Sequence, residues 1–398
     1  MVLVLKWVFL ALLAISLSSS SQAQDPRTQY PKVLANSYFG VNFGYMDYNF
    51  NNSQLQPGYS AENIKIPHLG IRVIIGYSFL ENLSAQISYM RPIEWVEYHK
   101  INGMNNERSV YMNVGGLTVK YRQPLTKKLS VFGEAGLGIV TRSGFNIDDQ
   151  PVVTDATYST IQTALGFDYH LNNKWDLRLT GVYTPGKDAV NQPSTKFISA
   201  GFRYNMRPLS KEKVEANANS GYFFPKHILQ LGYTTNGLGY GVNNTLSQGA
   251  VPIFWGGDIE IEKGVSLHYL RNVFHTRKVF ALDIGAGISW WRSSKNKDEL
   301  FTFSLMPVLR FNVLRTKPAD VYLFYSLAGP TYISKIIIDD MVSGKHFTFM
   351  DYMGIGVFAG KNRKFNAEIN INHYSNGNIY AQNPGLKIPL TFNVGYTW

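Results

Sequence analysis

The chain has 398 residues, of which 16% are charged and 14% are aromatic, and its formal net charge is +11. It contains 35 Gly and no Cys, which excludes disulfides, thiolate metal sites and a cysteine-linked lipid anchor. The basic residues stand singly or in short connectors such as FHTRK and RTKP, without the basic helix or aromatic groove of a nucleic-acid binder. We therefore expect no nucleic-acid partner. Anionic lipid is one explanation of the charge, and an ordinary solvated surface is the other.

The amino terminus carries an export signal. One lysine precedes an apolar run from Trp7 to Leu17, and Ser21-Gln22-Ala23 forms a small-residue cleavage site. This pattern predicts a secretory signal peptide over residues 1–23. The alternative, a membrane anchor, is disfavoured because a spanning helix needs about 20 consecutive apolar residues.

Beyond the signal, apolar and polar residues alternate with period two in runs separated by turn residues. From Phe39 to Tyr45 the odd positions are apolar and the even positions are Gly or Asn. From Trp175 to Tyr183 the odd positions are apolar or Gly, against Asp176, Arg178 and Thr180 at even positions. Such alternation predicts an all-β protein whose strands have two different faces. A soluble sandwich alternates too. The signal, the aromatic strand ends and the charges on the polar face, such as Glu134 and Arg178, favour a transmembrane β-barrel.

Strand counting divides the chain into two similar halves. Eight strands are predicted near residues 37–50, 68–79, 83–99, 108–125, 129–145, 156–171, 175–187 and 194–206. Eight more are predicted near residues 227–241, 253–272, 278–293, 300–314, 319–335, 347–360, 365–375 and 386–398. The simplest interpretation is two tandem eight-stranded antiparallel transmembrane β-barrels, residues 24–206 and 227–398, joined by a periplasmic linker at 207–226. A single sixteen-stranded porin is the alternative.

Barrels of eight strands are filled by their own side chains, so neither barrel is expected to be an open pore. The chain ends Val394-Gly395-Tyr396-Thr397-Trp398, an aromatic strand that runs to the last residue. This end resembles the closing strand that outer-membrane proteins present to their assembly machinery. The resemblance implies that this machinery is a partner of the chain.

The strand FNAEININHYS, residues 365–375, places two reactive side chains in an unusual row. Its odd positions are Phe365, Ala367, Ile369, Ile371, His373 and Ser375. Because the apolar row must face lipid, His373 and Ser375 face lipid with it. An ionisable group there costs from roughly 0–1 kcal/mol near the interface to about 2–4 kcal/mol at the bilayer centre, so it suggests a functional site. The alternative is an incidental interfacial pair.

The segment His373-Tyr374-Ser375-Asn376-Gly377, followed by Asn383-Pro384-Gly385, resembles the active-site region of the PagL family of outer-membrane lipid A deacylases. Residues 28–206 resemble the small OmpA-type outer-membrane barrels, in pattern only. The PagL resemblance implies a carboxylic ester hydrolase in the outer membrane of a Gram-negative bacterium. Such an enzyme removes the acyl chain at the 3-position of lipid A, and no cofactor or metal is implied. Lipid A, lipopolysaccharide and other outer-membrane lipids are the implied partners.

The resemblance also implies roles for individual residues. Ser375 is the expected nucleophile and His373 its general base. Asn376 is the expected donor to the oxyanion, and Asn383 and Gly385 are expected in oxyanion or substrate positioning.

The third member of the triad cannot be taken from the resemblance. The family has a glutamate after the His-x-Ser pair, whereas no Asp or Glu follows Tyr374 here, and the next strand offers Lys387. On the preceding strand, Asp351 interrupts an apolar row. If Lys361 to Arg363 form a three-residue turn, residue 351 lies opposite residue 373. We therefore predict that Asp351 orients His373 as the acid of a triad.

Two other functions remain open. Outer-membrane phospholipases A also carry a His-x-Ser-Asn-Gly pattern with an asparagine as third member, for which Asn378 and Asn383 are available. Those enzymes use calcium, which Asp339-Asp340 could bind. A non-catalytic structural or adhesive barrel is the other possibility. His68, His99 and His170 show no ligand spacing, and structural roles are predicted for them.

Overall fold

The computed structural model describes residues 27–32, 34–247, 256–380 and 382–398, with only the backbone at position 327. The predicted signal peptide, residues 1–23, lies outside the described residues. In the part of the chain that is described, no helix is long and apolar enough to cross a bilayer.

The first half forms a closed antiparallel barrel. Eight of its strands, β1, β3, β4, β6, β7, β10, β11 and β12, pair in sequence order, and β12 returns to β1. The strands are β1 (Ser37–Asp47), β2 (Ala61–Lys65), β3 (Leu69–Ser78), β4 (Leu83–Pro92), β5 (Val96–Ile101), β6 (Glu107–Pro124), β7 (Leu129–Ser143), β8 (Phe145–Ile147), β9 (Gln150–Val153), β10 (Ala156–His170), β11 (Trp175–Thr184) and β12 (Thr195–Asn205).

The prediction of one strand over residues 83–99 was wrong. β4 ends at Pro92, and pairing with β6 resumes only at Val96, which lies opposite Val110. Proline has no amide hydrogen to donate to a ladder, so the strand breaks where this residue stands. β5 then pairs with β2, and this pair extends the sheet beyond the barrel wall.

The second half forms another closed antiparallel barrel. Its wall order is β13, β14, β15, β16, β17, β20, β21 and β22, and β22 pairs with β13 to close it. The strands are β13 (His227–Thr235), β14 (Ile259–His275), β15 (Phe280–Ser293), β16 (Glu299–Arg315), β17 (Ala319–Ile333), β18 (Ile337–Ile338), β19 (Met341–Val342), β20 (Phe347–Ala359), β21 (Phe365–Ser375) and β22 (Leu386–Thr397). Within the described residues, no strand of one barrel pairs with a strand of the other, so the fold is two barrels and the porin alternative was wrong.

In the described part of the chain, two short α-helices lie outside the walls. Helix α1 (Lys211–Ala218) occupies the predicted linker and is capped by Ser210, whose hydroxyl accepts from the Lys213 amide. Helix α2 (Gly241–Thr245) follows β13. Part of the strand predicted from residue 253 lies outside the described residues.

The lengths of the connections between strands indicate which end of each barrel is periplasmic. The turns at the end where the chain termini lie are short: residues 79–82, 125–128, 171–174, 276–279, 316–318 and 360–364. Bacterial outer-membrane barrels have short periplasmic turns and long extracellular loops. The terminal end is therefore periplasmic, and the opposite, loop end is extracellular.

The walls are apolar outside and polar inside, as the alternation predicts. Outward side chains such as Ile87 and Ile198, both 65% exposed, leave a continuous apolar surface that a soluble protein does not present. Buried ion pairs fill the first barrel. Glu134 pairs with Arg72 at 2.8 Å, and Arg178 pairs with Asp168 at 2.8 Å. The interior is packed, in agreement with the expectation that an eight-stranded barrel is not an open pore.

Asp168 is the central acid of the first barrel. Its carboxylate contacts Lys120 at 2.8 Å, Arg178 at 2.8 Å and Arg203 at 3.1 Å, and all four side chains are nearly inaccessible to solvent. Removing one partner of a buried charge network leaves the remaining charges uncompensated.

We predict that Asp168→Asn lowers the free energy of unfolding by roughly 3–5 kcal/mol, because three buried cations then share one acid fewer. The measurement is the midpoint of urea unfolding of the refolded chain. Asp47→Asn is the control, since Asp47 pairs with Lys196 at an exposed position and such pairs contribute about 0–1 kcal/mol. Equal midpoints for the two variants would contradict the prediction.

Candidate functional site

Strand β21 carries His373 and Ser375 at its extracellular end. Both belong to the outward row of the strand, in which Phe365 and Ile369 are exposed. Further along the row, His373 is only 2% exposed, while Ser375 is half-buried. Residues two apart on a strand project from the same face, so the imidazole and the hydroxyl are neighbours. The site thus has a sheltered imidazole beside a more accessible hydroxyl.

The predicted register between β20 and β21 is confirmed. Residues Lys361–Arg363 form a tight turn, Ala359 pairs with Phe365, and Asp351 lies directly opposite His373. Asp351 Oδ2 lies 3.9 Å from His373 Nδ1, which is longer than a direct hydrogen bond. The acid and the imidazole therefore lie side by side on the outer wall, about 1 Å from hydrogen-bonding distance.

A bulge in β17 fixes the aspartate. The pairing between β17 and β20 shifts between Ser326 and Gly329, and Ala328 has a positive φ of 51°. The Ala328 amide donates to Asp351 Oδ1 at 2.5 Å. Because one carboxylate oxygen is held by the backbone, the other is left on the side of His373.

Lys387 lies on the opposite side of His373, as its cross-strand partner on β22. Its ammonium contacts Glu260 at 3.2 Å and lies over the Tyr240 ring at 5.4 Å. A lysine thus occupies the flank of the imidazole that faces away from Asp351, and its charge is balanced by Glu260.

The loop between β21 and β22 is closed by its own asparagines. The Asn376 amide donates to Asn383 Oδ1 at 2.8 Å, and Asn376 Nδ2 donates to the Gln382 carbonyl at 2.7 Å. Asn383 Nδ2 in turn donates to Asn378 Oδ1 at 2.7 Å. The predicted oxyanion donor, Asn376, is therefore bound within the loop and is 1% exposed. Its oxyanion role stays a prediction.

Gly385, the residue before β22, approaches the imidazole. It has a φ of +67°, and a Cβ at this position would lie 3.1 Å from His373 Nε2 and 3.3 Å from the Tyr374 carbonyl. Glycine is needed here both for the left-handed backbone and for the close approach.

An apolar groove of about 610 Å³ runs along the outer wall beside the site. Its lining includes Phe303, Tyr332, Phe347 and Tyr380, with Lys345 and His346 at the rim. Phe347 packs edge to face against Phe349 at 5.1 Å, and Phe349 is the cross-strand partner of Ser375. The groove thus lies two aromatic rings away from the serine.

Asp339 and Asp340, in the loop between β17 and β20, bind groups of the protein itself. Asp339 accepts from Ser293 Oγ at 2.5 Å, from the Asn296 amide at 2.8 Å and from the Lys295 amide at 3.2 Å. Asp340 pairs with Lys295 at 3.1 Å. Protein donors occupy both oxygens of Asp339, so this pair gives no support to a calcium-dependent phospholipase.

Two family models match the chain, one in each half. Residues 263–397 match the family described as lipid A 3-O-deacylase (PagL). This match begins within β14 and runs to the end of β22, so it covers the second barrel apart from β13. Residues 9–205 match the family described as outer membrane protein beta-barrel domain. The chain is accordingly a protein of the Gram-negative outer membrane, and its residues 263–397 are similar to lipid A deacylases at the level of family. Among curated proteins, none matches the chain.

Several solved barrels are similar to parts of this chain. Neisserial surface protein A is 15% identical and covers 43% of this chain and 97% of its own, with a TM-score of 0.30. The N-terminal barrel of Pseudomonas aeruginosa OprF is 18% identical, and the match covers 42% of this chain and 97% of that barrel, with a TM-score of 0.27. The outer-membrane enzyme PagL is 13% identical, and the match covers 42% of this chain and 98% of that enzyme, with a TM-score of 0.30.

Sequence reasoning missed one polar cluster in the first barrel. Glu97, His99 and Glu107 offer ligand atoms within 4.8 Å of one another, because His99 lies opposite Glu107 and two residues from Glu97. The period-two spacing of Glu97 and His99 was the available signal. Lys65 already pairs with Glu97 at 3.2 Å, and Glu107 is exposed, so no site is assigned. His68 and His170 bind the Met46 carbonyl and Asp176, in line with structural roles.

The loops at the extracellular end of the second barrel contain a pH-sensitive contact. Asp298 accepts from Lys335 and, at 2.9 Å, from the Asp339 amide. The hydrogen bond from Lys335 holds the pKa of Asp298 below its ordinary value. A carboxyl with a lowered pKa in the folded state stabilises that state above its ordinary pKa, and this contribution is lost as the pH falls through the lowered value.

We predict that protection of the Asp339 amide against hydrogen exchange decreases as the pH falls through the lowered pKa of Asp298. In Asp298→Asn the decrease should be absent, because the side chain no longer titrates. Exchange measured by mass spectrometry on both variants tests this, and identical pH profiles would refute it.

Proposed function

We propose that the second barrel is a serine esterase that removes the ester-linked acyl chain from the 3-position of lipid A. The observation that carries the proposal is the outward row in which Asp351 and His373 are cross-strand partners and Ser375 stands two residues from His373. The match of residues 263–397 to the PagL family supports the same reaction. The site lies on the extracellular part of the wall, where the outer leaflet supplies the substrate.

The residues suit acyl transfer in two steps. Ser375 Oγ attacks the ester carbonyl carbon while His373 accepts the hydroxyl proton. His373 then gives this proton to the departing sugar hydroxyl, which leaves an acyl-serine. In the second step His373 takes a proton from water, the resulting hydroxide attacks the acyl carbon, and the fatty acid leaves as the proton returns to Ser375.

Asp351 would orient His373 and stabilise the imidazolium without taking the proton itself. The distance of 3.9 Å between Asp351 Oδ2 and His373 Nδ1 must shorten by about 1 Å for a hydrogen bond. Catalytic hydrogen bonds are often long before the substrate binds. The Ala328 amide holds the far carboxylate oxygen, which keeps the near oxygen on the side of His373.

The loop residues would position the substrate carbonyl. For Asn376 to stabilise an oxyanion, its Nδ2 must exchange one of its two acceptors, the Ser343 or the Gln382 carbonyl, for the substrate oxygen. Such a donor contributes about 2.7–4 kcal/mol. Asn383 holds the Asn376 backbone. Gly385 keeps the space beside His373 Nε2 open.

The apolar groove is the place for an acyl chain. Its aromatic lining continues through Phe349, which lies opposite Ser375, and Lys345 stands at its rim. A chain that lies in the groove brings its ester to the loop end of the wall. The basic rim suits the phosphate of an anionic lipid.

We predict that Ser375→Ala abolishes release of 3-linked acyl chains from lipid A, because the nucleophile is lost. Asp351→Asn should lower kcat by roughly 10²–10⁴-fold, since an asparagine can no longer hold and stabilise the imidazolium. Lys387→Ala should have a far smaller effect, because Lys387 is neutralised by Glu260. Mass spectrometry of lipid A from cells that express each variant provides the measurement.

Three outcomes decide between functions. Unchanged lipid A with wild-type protein and with Ser375→Ala would refute the deacylase and favour a structural or adhesive barrel. Cleavage of phospholipids with intact lipid A would favour phospholipase A. Equal, small effects of Asp351→Asn and Lys387→Ala would remove Asp351 from the mechanism.

A second prediction concerns the space around the imidazole. Gly385→Ala should lower kcat by about tenfold or more, because its Cβ would displace His373 and small misplacements of catalytic groups are costly. Gly377→Ala is the matched control. Gly377 also has a positive φ, of +62°, but its Cβ would meet only the Phe349 ring, at 3.6 Å. Comparable losses in both variants would mean that backbone strain is the cause.

A further inference from the structure

Two polar side chains interrupt the lipid-facing wall of the first barrel. Asn113 on β6 and Thr141 on β7 are direct cross-strand partners. They belong to outward rows in which Leu117 is 56% exposed and Ile139 is 39% exposed. Asn113 and Thr141 are nevertheless buried, at 3% and 1% exposed. Something other than lipid covers this part of the wall.

These two side chains are covered by the loop between β21 and β22 of the second barrel, residues 376–385, which we call the active-site loop. Asn113 Nδ2 donates to the Asn378 carbonyl at 3.0 Å, and Thr141 Oγ1 donates to the Ile379 carbonyl at 3.5 Å. Gln382 Nε2 adds a contact to Asp155 at 3.4 Å. A cross-strand pair of donors thus holds two consecutive carbonyls of one loop. Polar groups on an outer wall are costly unless they are hydrogen-bonded, so the pair is explained by this contact.

The docked segment is connected to the proposed nucleophile by a short series of bonds. Asn378, whose carbonyl is held by Asn113, accepts from Asn383 through its own side chain. Asn383 accepts the amide of Asn376, the residue next to Ser375. The first barrel therefore holds the loop that sets the backbone immediately after the nucleophile.

The other side of the loop packs on the second barrel itself. Asn376 Nδ2 lies 3.5 Å from the Ser343 carbonyl. A Cβ at Gly344 would lie 2.8 Å from Asn376 Nδ2 and 3.0 Å from Tyr380 Cδ2. The loop is enclosed between the residue 343–345 segment and the wall of the first barrel.

A second attachment lies at the periplasmic end. Tyr30 stacks on Phe274 of the second barrel at 4.2 Å and shares a hydrogen bond with Tyr204 of the first barrel at 3.2 Å. The His275 amide donates to Thr28 Oγ1 at 3.3 Å. The barrels are therefore joined at both ends. This fixes the face of the first barrel that carries Asn113 and Thr141 against the active-site loop.

We propose that the first barrel positions the active-site loop of the second, with Asn113 and Thr141 as positioning residues. This inference rests on the proposed esterase function for its catalytic part, while the docking of the loop stands on the contacts alone. The two barrels then form one catalytic unit in which the first supplies a wall that lipid, being fluid, cannot supply.

Cross-linking tests the docking without reference to activity. The chain has no native cysteine, so Asn113→Cys with Asn378→Cys introduces a single thiol pair. A short bis-thiol cross-linker applied to the full chain in outer-membrane vesicles should join the two, as detected by peptide mass spectrometry. Leu117→Cys with Asn378→Cys is the matched control. Leu117 lies in the same outward row, about 13 Å along the strand, and should not cross-link. Absence of the 113–378 product, or equal yield in both pairs, overturns the proposal.

Kinetics tests the positioning. In full-length protein, Asn113→Asp with Thr141→Val removes both donors, and kcat should fall about 10- to 100-fold with little change in KM. Thr141→Ser keeps the hydroxyl and should retain activity. Thr157→Val is the control, because Thr157 is the other cross-strand neighbour of Thr141 but is exposed to lipid. An unchanged kcat in the double variant overturns the positioning role. An inactive wild-type chain overturns the proposed esterase together with that role, while the cross-link still reports the docking.

Discussion

Closure of a sheet in lipid is the constraint on which the structure depends. No water is present in the hydrocarbon core to satisfy a strand edge, so each set of eight strands must return to its first member. β12 pairs with β1, and β22 pairs with β13. Closure forces every strand to turn one row of side chains to lipid and the other to a narrow interior. The same rule explains the apolar outer rows, and it explains why Asp168 must satisfy three buried cations.

The candidate site is a local exception to the apolar row. Asp351, His373 and Ser375 stand on the outer wall, yet Asp351 and His373 are almost completely buried. The β17 bulge supplies an amide to Asp351, and Gly385 lets the backbone approach the imidazole. The polar groups are therefore sheltered by neighbouring backbone, which reduces the cost of placing them at a lipid surface. Only the serine remains accessible enough to meet an ester.

The two barrels make direct contacts with each other in addition to being joined in one chain. The contacts at Asn113 and Thr141 occupy part of an outer wall that lipid would otherwise cover. The segment they hold follows the proposed nucleophile within a few residues. At the other end, Tyr30 contacts both barrels. This arrangement accounts for a fused chain, since a separate barrel would have to find this loop by diffusion in the membrane.

Much of the fold was predictable from the sequence because period-two alternation has a direct physical cause in the pleat of a strand. That alternation determined the all-β class and the outward direction of His373 and Ser375, and the strand count favoured two eight-stranded barrels over one large porin. The register that places Asp351 opposite His373 followed from assuming a three-residue turn at Lys361–Arg363. Tertiary structure alone decided the rest. The β17 bulge and the enclosure of Asn376 depend on contacts between distant segments, for which a strand pattern has no signal. Asn113 and Thr141 were visible as polar residues in outward rows, but only packing of one barrel on the other identifies what they bind.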